Sequence, residues 1–236
     1  MTTATSLAAL PATTALILID VQRGFGHPSH WGPARNNLDA EAKCGRLLQA
    51  FRTAGRTIFH IKHTSLDPKS PLHPSHEGCE YCPEVTPLAS EPVLTKTVNS
   101  AFITTDLEQR LRKAGMTHLV IAGLTTDHCV STTTRMAGNL GFSTILVEDA
   151  CATFAKTGPT GVKHSAEDIH EIHITSLNNE FATVVTLDRA LGTAGDVCQG
   201  LGAGLKGETS DVADRIAKHK ADCTAIRGVE LELVPI

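Results

Sequence analysis

Hydrophobic residues in this chain gather into short runs of strand length, each closed by polar positions: "ALILID" (15–20), "TIFHIKH" (57–63), "PVLTKT" (92–97), "HLVIAG" (118–123), "TILVED" (144–149) and "ATVVTL" (182–187). Consecutive apolar positions, rather than strict alternation, mark strands buried on both faces. The longer segments between them carry helical spacing. This alternation predicts an α/β fold, a doubly wound, mostly parallel six-stranded sheet with helices on both faces.

Three helices can be placed from local signals. Between Thr105 and Gly115, Leu107, Leu111 and Ala114 mark one face, Thr105 with Glu108 fits a capping box, and Gly115 supplies the stop. A second helix follows Asn37 and ends near Gly55, with Leu47, Phe51 and Ala54 turned inward; a third follows Ser165, with Ile174, Leu177 and Phe181 inward. Two segments depart from the scheme. From Thr64 to Pro92 the chain is rich in proline, histidine and turn residues, as expected of a binding loop or lid. After Leu191 it is Gly-rich, then helical in pattern from Asp211 to Lys220, and ends in "VELELVPI", which suits an edge or exchanged strand. The expected organisation is one domain over 1–190 and an extension, 191–236, packed on that domain or on a neighbouring subunit.

Composition narrows the function classes. A chain of 236 residues, 41% hydrophobic, is large enough for one sizeable core. Its formal net charge of −4, with scattered Lys and Arg, gives no footprint for nucleic acid or an anionic membrane, leaving small-molecule substrates. The N-terminal stretch lacks a basic n-region and runs into a strand, so neither a signal peptide nor a membrane span is expected, and a cytoplasmic setting follows. Seven cysteines, an odd number spread over a long chain, read as thiols rather than a disulfide framework.

Ligands of open parallel sheets sit beyond the carboxyl ends of the strands. Three such ends carry chemistry: Asp20 closes the first run, Lys96 the third, and Cys129 follows the fourth where a helix beginning "CVSTTTRMA" starts. Taken singly, each has an ordinary reading: a cap, a solvated lysine, a small buried thiol. Together they make a nucleophile, a proton carrier and a cation. A helix N-terminus and Lys96 would both favour the Cys129 thiolate, Asp20 would carry the proton, and backbone N–H groups would hold an oxyanion. Gln22, Phe25, Trp31, His63, Tyr81 and His128 stand near motif ends and are candidate pocket residues, each equally readable as packing or surface.

A second signal lies in "HPSHEGCEYC", where His73, His76, Cys79 and Cys82 recur at intervals of three. These are zinc-binding residue types, but ligands packed so closely leave little slack to close a tetrahedron, which favours an ordinary lid. "RGFGHP" lacks most of the dinucleotide fingerprint. No cofactor and no metal are expected.

The ordered motifs "LILIDVQRGF", "FHIKHTSLDPKSPLHP", "LTKTVNSAFITTDLEQRLRKAG", "HLVIAGLTTDHCVSTTTRMAGNLGF", "ILVEDACATF" and "EIHITSLNNEFATV" together resemble the isochorismatase-like superfamily of cysteine hydrolases over roughly Ala15 to Leu187. That superfamily includes nicotinamidases, N-carbamoylsarcosine amidases, ureidoacrylate hydrolases and biuret hydrolases. The resemblance implies a catalytic triad of Asp20, Lys96 and Cys129, a cis peptide between Leu124 and Thr125, and an oxyanion hole from the N–H groups of Thr125 and Cys129. It also implies a homodimer or homotetramer. "HIKHTS" stands where metal-dependent nicotinamidases carry D-x-H, which argues against that activity. Members that cleave the vinyl ether of isochorismate usually lack the cysteine, so Cys129 favours an amidohydrolase acting on a small amide or ureide C–N bond through a thioester. The alternatives are vinyl ether hydrolysis, or a redox-sensing thiol or scaffold. A sensor needs a reactive thiol but has no use for Asp20 and Lys96 as well.

Overall fold

The structure, a computed structural model, describes residues 10–32 and 34–192. These belong to a unit spanning Met1–Gly195. The expected helix at 211–220, the "VELELVPI" strand and the proposed packing of the extension all lie outside the described residues.

Six strands form one sheet: β1 (Thr14–Ile19), β2 (Ile58–His63), β3 (Val93–Lys96), β4 (His118–Leu124), β5 (Ser143–Ala152) and, after a small hairpin, β8 (Thr183–Val185). Their order is β3-β2-β1-β4-β5-β8, and every neighbouring pair is parallel. The hairpin is β6 (Lys156–Thr157) against β7 (Lys163–His164), antiparallel. The consecutive apolar pattern of β1 is explained by its place at the centre, where all six residues are buried. Ile17 pairs with Phe59 on one side and Ile121 on the other.

The helices are α1 (Pro28–Trp31), α2 (Ala40–Thr53), α3 (Leu107–Lys113), α4 (Ser131–Asn139), α5 (Ala166–Leu177) and α6 (Leu187–Leu191). Helices α3, α4 and α5 bury Leu107, Leu111, Ala137, Ile174 and Leu177 against Ile17, Ile19, Ile61 and Ile121. Helix α2 packs against β1, β4, β5 and α6 on the opposite face, burying Leu47, Leu48 and Phe51. No helix among the described residues is long and apolar enough to cross a membrane.

Two local expectations are corrected. Ala54 and Ala114 are exposed at helix ends, beyond the last inward turn. Thr105 and Glu108 form no capping box: the Thr105 hydroxyl donates to Ala101 O and accepts from Leu107 N, and α3 begins after Asp106. The box that does form is Ser165 with Asp168 at the start of α5. Helix α2 follows Asn37 as expected, from Ala40, and the Asn37 side chain donates to Cys151 O at 2.7 Å, tying that connection to β5.

The strand order reverses between β1 and β4, and in open parallel sheets the crevice beyond the strand ends at such a point is where ligands bind. Gly123 makes that crevice close. Its φ is +130°, at a register shift between β4 and β5, and a Cβ there would stand 2.0 Å from Ile19 O. Only glycine lets the end of β4 approach β1 this way.

Candidate active site

Asp20 leaves the end of β1 with φ of 50°, a region that Asp tolerates better than most residues, and its amide donates to Ile61 O at 3.1 Å. Lys96 closes β3. Cys129 sits in a π-helical turn, Thr126–Val130, that joins β4 to α4. The peptide bond between Leu124 and Thr125, just before this turn, is cis, and Thr125 O accepts the amides of His128 and Val130. The amides of Thr125 and Cys129 therefore belong to the segment that carries the sulfur.

The three side chains meet. Lys96 Nζ donates to Asp20 Oδ2 at 2.5 Å and to Cys129 Sγ at 3.3 Å. Both members of the Asp20–Lys96 pair have 0% side-chain exposure. A fourth group joins them: His63 Nδ1 lies 3.4 Å from Lys96 Nζ. Donor atoms of Asp20, His63 and Cys129 all fall within 4.8 Å of one another, and the Lys96 ammonium stands among them as the chain's own cation. Asn99 Oδ1 accepts from the Cys129 thiol at 3.8 Å, a contact that no sequence motif pointed to.

Electrostatics correct one expectation. Burial pushes the Cys129 thiol well above its usual range, the Asp20 charge adds to this, and Lys96 opposes it only in part. Burial also raises the Asp20 carboxyl against the pull of Lys96. Burial and the Asp20 charge thus favour the protonated sulfur, and the Lys96 ammonium favours the thiolate against them. Asp20 Oδ1 is buried without a hydrogen-bond partner, leaving a lone pair to accept a proton.

The candidate pocket residues divide. Gln22 is wholly buried and committed to backbone: its Nε2 donates to His63 O (2.9 Å) and Cys79 O (2.8 Å), and its Oε1 accepts from His63 N (2.9 Å). It fastens the 64–92 connection to the end of β2 and is not free for a substrate. Trp31 lies between Phe25 and Phe154, with ring centroids at 4.9 and 5.5 Å, and its indole N–H donates to Gly24 O. Tyr81 has a buried hydroxyl without a hydrogen-bond partner, and burial with the nearby Asp20 charge raises it above the usual phenol range. His128 is half exposed and turns away to Lys156 and Asp127. Among the described residues, no hydrogen bond or ion pair joins Phe25, Trp31, Tyr81 or His128 to the triad.

Sequence reasoning also missed what holds the nucleophile's turn. Asp127, nearly buried, accepts from Thr153 at 2.5 Å and pairs with Lys156 of β6, so a segment beyond β5 braces the residue two before Cys129. The loop histidines and cysteines do not assemble. His76 bonds to Pro68 O, His73 to Ser75, Cys79 lies beside Gln22, and Cys82 is buried elsewhere with its thiol pushed up to about 12 by burial. A cleft of about 580 Å³ between the post-β1 segment and this loop is lined by Arg23, His27, His30, Lys69, His76 and Glu77, and not by the triad. Cys44, Cys79, Cys82, Cys129 and Cys151 are all free and buried.

Comparison with known proteins places this geometry in a family. The Isochorismatase domain model matches residues 14–189. An isochorismatase family protein of Bacillus subtilis, YrdC, is 46% identical over 177 residues, covering 75% of this chain and 94% of its own. The maleamate amidohydrolase of Pseudomonas putida is 28% identical over 191 residues, covering 75% and 84%. A crystal structure of a putative hydrolase of the isochorismatase family from Chromobacterium violaceum superposes with a TM-score of 0.73 at 43% identity, covering 78% of this chain and 95% of that one. The chain belongs to the isochorismatase family of hydrolases.

Proposed function

We propose that this protein is a cysteine-dependent amidohydrolase that cleaves a C–N bond of a small amide or ureide through a thioester. The observation that carries this reading is one buried ammonium, Lys96, in contact with both a carboxylate and a thiol. Vinyl ether protonation needs the acid alone and gives the sulfur no role. The maleamate amidohydrolase relative supports amide chemistry.

The steps follow from the contacts. As Cys129 sulfur bonds to the substrate carbonyl carbon, its proton passes to Asp20, and the carbonyl π electrons move to oxygen, where the amides of Thr125 and Cys129 stabilise the charge. The oxyanion re-forms the carbonyl and the C–N bond breaks. The Asp20 proton goes to the departing nitrogen, leaving a thioester and an amine or ammonia. Water then attacks the thioester while Asp20 takes its proton. The sulfur leaves as thiolate and recovers that proton, and Lys96 stays paired with whichever neighbour carries the negative charge.

A panel of primary amides, ureides and carbamates, with isochorismate included, is incubated with wild type and Cys129→Ala while ammonia, amine and pyruvate are measured. The expected result is nitrogen release from one class by wild type alone. Turnover of isochorismate that survives Cys129→Ala would overturn the reading.

A further inference from the structure

His63 was expected only as a pocket residue, yet its surroundings give it a different task. On the sheet it is the register partner of Lys96, so both side chains leave adjacent strand ends on the same face. An ammonium has three N–H bonds and no lone pair, and hence can only donate. Lys96 has three acceptors within reach: Asp20 Oδ2 at 2.5 Å, Cys129 Sγ at 3.3 Å and His63 Nδ1 at 3.4 Å. They arrive from the ends of β1, from the turn after β4 and from the end of β2.

We infer that His63 is a positioning residue that acts as the third leg of a tripod, fixing the Lys96 ammonium so that its other two N–H bonds point at the carboxylate and the sulfur. For Nδ1 to accept, its lone pair must be free, so the tripod requires the ring proton to sit on Nε2. The charged groups facing the ring are Lys96 and Asp20; burial and Lys96 both favour the neutral imidazole, and Asp20 opposes them. A proton added at Nδ1 would place a second cation beside the ammonium and remove the leg. His63 thus makes the site's geometry depend on pH below its ordinary value of 6.5. The assignment of a kinetic consequence rests on the amidohydrolase reading; the tautomer and the coupling to Lys96 do not.

The test has two independent arms. In the first, protein labelled with 15N-histidine is titrated by NMR, with the His63 signals identified by their loss in His63→Asn. The expected result is a neutral Nε2–H ring that takes up a proton only below pH 6.5, and whose pKa rises in Lys96→Met. An Nδ1–H ring, or a titration unchanged by Lys96→Met, would overturn the inference whether or not any amide is turned over. In the second arm, kcat is followed against pH on the substrate identified in the screen. Asn keeps an acceptor at the place of Nδ1 and cannot titrate, so His63→Asn should keep more activity than His63→Leu and lose the wild-type acid limb that lies below pH 6.5. His63→Leu leaves a buried N–H unpaired and should lower kcat about 10- to 100-fold at every pH, with KM little changed. Equal loss in Asn and Leu variants, or an acid limb unchanged in His63→Asn, would overturn the tripod while leaving the amidohydrolase reading in place. Absence of turnover in wild type would overturn that reading and leave the NMR arm to decide the tripod.

Discussion

Lys96 and Asp20, drawn from strands that are not neighbours in the sheet, form a 2.5 Å ion pair with both side chains wholly buried. Such a pair is costly to break, because removing one partner strands the other's charge in a medium that cannot solvate it. It also sets the charge state of the sulfur beside it, and the first prediction follows from that.

Asp20→Asn leaves Lys96 without its anion, so the Cys129 thiol should lose its proton more readily to supply one. Iodoacetamide should label Cys129 faster at pH 7 in Asp20→Asn than in wild type, while hydrolysis falls by on the order of 10^4-fold for want of a proton carrier. Peptide mass mapping of the label measures the first effect. Slower labelling than in wild type would show that Asp20 does not hold the thiol protonated.

Gly123→Ala puts a methyl group 2.0 Å from Ile19 O at a backbone angle that L-residues avoid. Either β4 moves away from β1 or the chain fails to close the crevice. A loss of about 3 kcal/mol or more is expected from urea denaturation. A variant as stable as wild type would mean that this approach of β4 to β1 is not obligatory.

Gln22→Leu removes three bonds to backbone groups of His63 and Cys79 while keeping the apolar bulk of the side chain. Leaving those buried groups unpaired should cost about 3 kcal/mol. The 64–92 connection should then be cut by trypsin at Lys69 much sooner than in wild type. Unchanged proteolysis would show that the connection is fastened elsewhere.

Glu91 is bound by Arg52 at 2.7 Å and by His60 at 2.8 Å, and its carboxyl is held down to about 2 from the usual 4.5, chiefly by the Arg52 hydrogen bonds. A carboxyl whose folded value is depressed adds stability that is complete above about pH 4.5 and is lost as pH falls toward 2. Glu91→Gln should lower stability by up to about 3 kcal/mol at pH 7, and the gap to wild type should shrink as pH falls from 4.5 toward 2. Denaturation midpoints of both proteins at pH 7 and pH 3 check the sign.

The centre of the sheet was legible because β1 and β4 are buried on both faces and announce themselves as unbroken apolar runs, whereas the edge strand β3 alternates, exposing Val93 and Thr95. Asp20, Lys96 and Cys129 could be singled out because each stands where an apolar run, or the turn after it, gives way to a chemically reactive or charged residue. The charge state of the sulfur was not legible: a pattern of residues shows which charges are near but not how far water has been excluded, and here burial decides. Asn99, Thr153 and Lys156 were invisible because their roles come from segments far apart in the chain that only the fold brings together. Thr105 with Glu108 and Ser165 with Asp168 carry equivalent capping signals. They diverge because the hydroxyl of Thr105 is drawn to Ala101 O, a competition that spacing cannot reveal.

Gln22 fastens the 64–92 connection from beneath, while the atoms assigned to bond making and breaking belong to strand ends and to the turn after β4. The loop and the groups of the candidate triad are thereby supported by separate stretches of chain. Within that connection Ser70, Pro71 and Leu72 are buried and Gly78 packs on Gly24 with no room for a Cβ, whereas the exposed positions between them can vary without disturbing the supports of Asp20, Lys96 and Cys129.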